Sequence, residues 1–112
     1  MSTPLPNQAV RGSTSGVPIM AVFDLLGRKW NMRILWELNN KPMSFRGLQA
    51  RCDGMSPSVL NTRIKQLSEA KLIDKTEQGY QLSDMGQSLM LTLNPLREWS
   101  HKWHKVLDSD YK

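Results

Sequence analysis

The run Ser56-Pro57-Ser58-Val59-Leu60-Asn61-Thr62-Arg63-Ile64-Lys65-Gln66-Leu67 decides how this chain is read. Turned at about 100° per residue, it separates into two faces. Leu60, Ile64 and Leu67 point one way. Ser58, Asn61, Thr62 and Lys65 point the other, with Gln66 at the edge. Ser56 is a capping residue, and Pro57 has the fixed φ and missing N–H that suit the first helical position. Short polar side chains near the helix start, with a cation further along, are what a DNA major groove receives: small donors and acceptors for base edges, and Lys or Arg for phosphates. The free N–H groups of the first turn suit a phosphate as well. An ordinary solvated helix has the same composition, so the neighbouring elements must decide.

Upstream, Ser44 is placed to cap a short helix that turns Phe45, Leu48 and Cys52 inward, and Asp53-Gly54 is a turn signal. Two helices joined by a tight Gly turn make a helix-turn-helix. Downstream, Ile73 to Thr76 and Tyr80 to Leu82 are short alternating runs around Glu77-Gln78-Gly79, which predicts a β-hairpin. Lys75, Gln78 and Tyr80 are its candidate wing contacts, to phosphate or to the minor groove. Lys41, Ser44 and Arg46 flank the short helix that would cross the DNA backbone. Arg63, at the border of the apolar stripe, has two open readings, a carboxylate partner or the phosphate backbone. The recognition set is thus Ser56, Pro57, Ser58, Asn61, Thr62, Arg63 and Lys65.

Further out, Pro18 opens a helix to about Leu26, with Val22, Phe23 and Leu26 on one side and Gly27 breaking it. A second helix is expected from about Lys29 to Asn39, where Trp30, Ile34, Leu35 and Leu38 recur at helical spacing. Ser83 caps a last helix from about Asp84 to Leu107, kinked at Pro95, with Leu89, Leu93, Leu96, Trp103 and Leu107 as its seam and Trp99 alongside. Such a helix extends about 36 Å, too long for a small domain to cover alone. A second copy is the simplest cover, meeting it at Val22, Phe23, Leu89, Leu93, Leu96, Trp99 and Trp103. The expected fold is mainly α (α+β): a winged helix-turn-helix with a three-helix core, a short hairpin wing and N- and C-terminal dimerisation helices.

Bulk properties agree. The chain has 112 residues, 39% of them hydrophobic. Residues 1–16 are rich in Ser, Thr, Pro, Gly and Asn without an apolar period, so they are expected to be a disordered arm before a domain over 17–112. Of the formal charge of +5, residues 28–75 carry ten basic and four acidic side chains, so the positive excess sits on the helix-turn-helix and hairpin. No leader or long apolar run is evident, which predicts a cytoplasmic protein away from membranes. The lone Cys52 excludes an intrachain disulfide. It is a candidate thiol switch beside Arg46 and Arg51, although Asp53 opposes the thiolate and a small buried apolar role is commoner. His101, His104 and Asp108 share a helical spacing but have no evident fourth ligand, so no metal is expected. No nucleophile, base and orienting group stand together and no phosphate-binding Gly loop appears, so neither an enzyme nor a cofactor is expected.

The runs Asp24-Leu25-Leu26-Gly27-Arg28-Lys29-Trp30, Ile34-Leu35-Trp36-Glu37-Leu38, Phe45-Arg46-Gly47-Leu48, Ser56 to Leu67 and Tyr80 to Gly86 follow one another in an order and spacing that resembles the HxlR-type winged helix regulators. The likeness covers roughly Pro18 to Trp103. It implies a bacterial regulator related to the MarR group, dimeric through its first and last helices, that binds (pseudo)palindromic operators. By position, Ser56, Ser58, Asn61, Thr62, Arg63 and Lys65 would then face DNA. Many members carry a cysteine just before the first helix. Here that place is Val17, so the thiol sensing that some of them use does not carry over. The hairpin is also shorter than the family's usual one, implying fewer wing contacts.

The sequence therefore predicts a homodimeric DNA-binding regulator, repressing by default through promoter occupancy, with an unidentified small-molecule effector left open. The rivals are a winged helix module that docks protein on its polar face, and a thiol switch at Cys52. The salt dependence of DNA binding separates the first rival from the main reading.

Overall fold

Capping chemistry sets most of the element boundaries. The computed structural model describes residues 3–110. The first two residues of the expected arm and the last two of the expected domain lie outside them. Pro18 starts α1 (Pro18–Gly27), and α2 follows (Asn31–Leu38). Ser44 accepts the Gly47 N–H at 3.0 Å and starts α3 (Phe45–Arg51), while Ser56 accepts the Val59 N–H at 3.2 Å and starts α4 (Pro57–Glu69). Then come β1 (Ile73–Thr76), β2 (Gly79–Leu82) and α5 (Asp84–Asp110). The elements match the expected winged helix.

Two boundaries differ from the sequence reading. Helix α2 begins at Asn31, because Trp30 takes a left-handed φ of 79° and breaks the helical run. Asn31 is buried, and its amide Nδ2 donates to the Leu25 carbonyl at 2.7 Å, so it satisfies the end of α1 while it starts α2. Helix α5 reaches Asp110 and continues through Pro95.

The core is shared by α2, α3, α4 and the hairpin. Ile34, Leu35, Leu48, Cys52, Leu60 and Leu67 are fully buried, joined by Leu25, Met43, Met55, Ile64, Ile73, Leu82 and Met90. The strands pair antiparallel with Ile73 opposite Leu82 and Lys75 opposite Tyr80. Met43 adds a one-residue rung to the wing, exchanging backbone bonds with Tyr80 at 2.9 and 2.7 Å. Gly79, at φ 112°, allows that approach, since a Cβ there would stand 2.4 Å from the Met43 oxygen.

Helix α4 ends in a Schellman turn: the Leu72 N–H bonds the Leu67 carbonyl and the Lys71 N–H bonds that of Ser68. Lys71 holds the left-handed place, φ 64°, that glycine usually takes. Ser83 then ties the three elements together. Its hydroxyl donates to the Lys71 carbonyl at 2.6 Å and accepts the Gly86 N–H at 3.0 Å, capping α5 against the end of α4.

The described residues before α1 make contacts with the domain: Thr3 and Pro4 are buried, the Asn7 N–H bonds the Gly16 carbonyl, and the Arg11 N–H bonds Asp24. Pro4, Leu5 and Pro6 supply apolar surface there.

Candidate nucleic-acid interface

Helix α4 divides as its sequence requires. Leu60, Ile64 and Leu67 are buried, and Ser58, Asn61, Thr62 and Lys65 are exposed. At its start Ser56, Pro57 and Ser58 are exposed, with the two serine hydroxyls 3.4 Å apart. The Thr62 hydroxyl donates to the Ser58 carbonyl at 3.0 Å, which leaves its methyl group and an acceptor lone pair outward. Among the described residues, neither the Asn61 amide nor the Lys65 ammonium enters a hydrogen bond or ion pair. The face carries unspent donors and acceptors.

Gln66 departs from the expectation. It is 3% exposed and turned inward, where its Oε1 accepts from Arg63 Nη1 at 3.1 Å. Among the described residues half-buried Arg63 pairs with no carboxylate; burial pushes its guanidinium below the ordinary value, and nearby Arg28 and Arg11 add to that.

Part of the basic excess is used internally. Glu37, buried on α2, accepts from Arg33 Nε and Arg51 Nε, each at 3.0 Å, which clamps α2 to the end of α3. Burial works to raise its carboxyl, and the two arginine hydrogen bonds outweigh that and hold it below the usual range. Buried Asp24 pairs with Arg28 at 3.2 Å in the same way. Lys41, Ser44 and Arg46 remain exposed around the start of α3, although the Ser44 hydroxyl is occupied as its cap. On the wing, the Lys75 ammonium lies 5.6 Å from the centre of the Tyr80 ring, Tyr80 is half-buried and Gln78 stands exposed at the tip.

Cys52 is fully buried. Burial pushes its thiol up, Arg33 pulls it down, and Glu37 and Asp53 push it up again, for a net rise. That opposes the thiolate a sensor needs. His101, His104 and Asp108 are exposed on α5, and among the described residues no three His, Cys, Asp or Glu side chains are grouped to hold a metal ion. No described helix is long and apolar enough to cross a membrane.

The residues proposed for dimerisation fall into two groups. Val22, Leu89 and Leu93 are half-buried, while Phe23, Leu96, Trp99 and Trp103 are exposed. Trp99 and Trp103 stack with ring centres 5.8 Å apart, yet remain 54% and 53% exposed. Sequence reading missed Ile19, Leu91 and Val106, all exposed, and Arg97, whose guanidinium lies 5.5 Å from the ring of the exposed Trp36. It also missed Thr3, Leu5 and Gln8, which border one groove with Asn61, Thr62, Lys65, Gln66 and Glu69.

A family profile described as HxlR-like helix-turn-helix matches residues 25–108. The chain belongs to this family. An uncharacterised HTH-type transcriptional regulator of Methanocaldococcus jannaschii is 28% identical over 91 residues, covering 78% of this chain and 86% of that one. The Bacillus subtilis regulator YdzF is 31% identical over 90 residues, covering 73% and 83%. Among solved structures, a protein described as a possible HxlR family transcriptional factor from Thermoplasma volcanium aligns with a TM-score of 0.64 and 28% identity over 75% of this chain and 82% of that one. Quinone-bound YodB of B. subtilis aligns at 0.69 with 24% identity over 75% and 94%, a likeness of fold. This HxlR-like chain is therefore a transcriptional regulator with a helix-turn-helix DNA-binding domain, and α3 and α4 are its helix-turn-helix.

Proposed function

We propose that this HxlR-like regulator binds a (pseudo)palindromic operator in the cytoplasm as a homodimer and represses by occupying the promoter. One observation carries the reading: the polar face of α4 is exposed and unspent while its apolar face is buried in the core. Ser58, Asn61 and Thr62 read base edges. Ser56 and Pro57 bring the helix N-terminus to a phosphate, and Arg63 and Lys65 contact the backbone. Lys41, Ser44 and Arg46 add contacts at α3, and Lys75, Gln78 and Tyr80 add them at the wing. Two such helices, held about one turn of DNA apart, match a two-fold operator. Val22, Phe23, Leu89, Leu93, Leu96, Trp99 and Trp103 form the dimer contact, since stacked indoles left half in water favour a partner. The chain regulates rather than catalyses. The fold neighbour YodB has been solved with a quinone bound; in this chain position 17 is valine and Cys52 is buried.

Selection on random duplexes followed by competition binding tests the assignment. Asn61→Ala with Thr62→Ala is expected to lose preference for the selected site by about tenfold to a hundredfold and to retain weak, salt-sensitive binding. Equal loss on selected and random DNA would remove base reading from this face.

A further inference from the structure

We propose that the chain's own N-terminal segment is a latch on the recognition helix that must lift before the helix can seat fully in DNA. The inference rests on the DNA-binding reading above. Residues 3–8 run beside the flank of α4, where Thr3, Leu5 and Gln8 face Asn61, Thr62, Lys65 and Glu69 across an open groove of about 540 Å³. The clasp is a hydrogen bond from the Thr3 hydroxyl to Glu69 Oε2, at the last residue of α4. Gln8 Nε2 braces it by donating to the Thr3 carbonyl at 2.8 Å; Thr3 is buried, and Pro4 is buried in a cavity lined by α1 and α5.

Size argues that the docked segment and a duplex exclude each other. A major groove is about 12 Å wide, and one helix with its side chains already measures about 10–12 Å across. A further layer of chain along the same helix has no room beside it. Charge argues against the converse, that the segment clamps a DNA strand. Residues 3–10 contain no charged side chain to hold a phosphate, and in the groove the Glu69 carboxylate offsets the Lys65 ammonium. The segment therefore competes with DNA. Its few anchors make release inexpensive, and whatever stabilises or loosens the Pro4-Leu5-Pro6 stretch sets the fraction of helix available.

Four proteins test the latch: the full chain, a deletion of residues 2–9, Thr3→Val, and Thr3→Cys with Glu69→Cys bridged by a short bismaleimide and compared with its own unbridged form. Circular dichroism checks each fold, and Thr3→Val removes the clasp without truncation. On a selected duplex the deletion and Thr3→Val are expected to bind about tenfold and about threefold more tightly, and bridging to weaken binding at least about tenfold. Equal binding by bridged and unbridged forms would overturn the latch alone. Weaker binding after deletion would overturn it in favour of an arm that touches DNA. Salt-insensitive or absent binding by every form, the deletion included, would overturn the DNA reading and the latch together.

Discussion

Asp24 shows how a single side chain joins stability to pH. Burial alone would raise its carboxyl, but the Arg28 side chain and the Arg11 N–H hydrogen-bond it, and the two positive charges add to that, so the net shift is downward. A carboxyl lowered in the folded state stabilises the fold above its unfolded pKa and loses that contribution as pH falls through the folded value. The thermal midpoint of the protein should therefore drop on going from about pH 5 to about pH 3. Asp24→Asn should start lower at pH 7 and lose less over that window, as thermal melts across the range would record. Melts of the two proteins that stay parallel would show that Asp24 carries no such coupling. The residue type at position 24 was visible in the sequence, but its partners were not. Arg28 follows at a helical spacing, whereas Arg11 arrives through the path of the chain before α1. Arg63 teaches the same lesson from the other side: its place beside the apolar stripe was legible, and its hydrogen bond to Gln66 depended on what covers that flank.

The caps of α3, α4 and α5 followed from serine placement, because a hydroxyl before an apolar period satisfies amides that otherwise face nothing. The one-residue rung at Met43 has no period to read, and only the fold brings it beside Tyr80. The junction of α5 with the hairpin is equally local in sequence and tight in space. A Cβ on Gly86 would stand 2.1 Å from the Leu72 carbonyl oxygen, which also accepts the Ser83 N–H. Gly86→Ala should therefore cost about 1–3 kcal/mol through forced movement of α5 away from the hairpin, measured by urea denaturation. An alanine protein of unchanged stability would mean that α5 docks more loosely than this contact requires.

The longest dimension of the molecule is 50 Å, and the 27 residues of α5 span about 40 Å of helix by rise alone. Its last turns carry the stacked Trp99 and Trp103, which the described residues of the same chain leave about half exposed. For the proposed homodimer, Trp99→Ser with Trp103→Ser should shift sedimentation from dimer to monomer and weaken operator binding about a hundredfold, since the second half-site contact becomes a separate bimolecular event. A double variant that remains dimeric at full affinity would place the contact elsewhere. Charge acts over the same distances. Within residues 28–75, Arg33 and Arg51 are drawn to Glu37 while the exposed lysines and Arg46 carry the positive excess outward.

Periodicity, capping residues and turn dipeptides were enough to determine the order of the elements, the buried and exposed sides of α4 and the hairpin, because each depends on neighbours within a few residues. Tertiary structure alone decided which arginines remain outward, that Gln66 turns inward, that Met43 joins the wing and that residues 3–8 lie beside the recognition helix. Those outcomes depend on which distant segments meet, and the free energy of such a meeting depends on shape and desolvation at the contact, which no local pattern encodes.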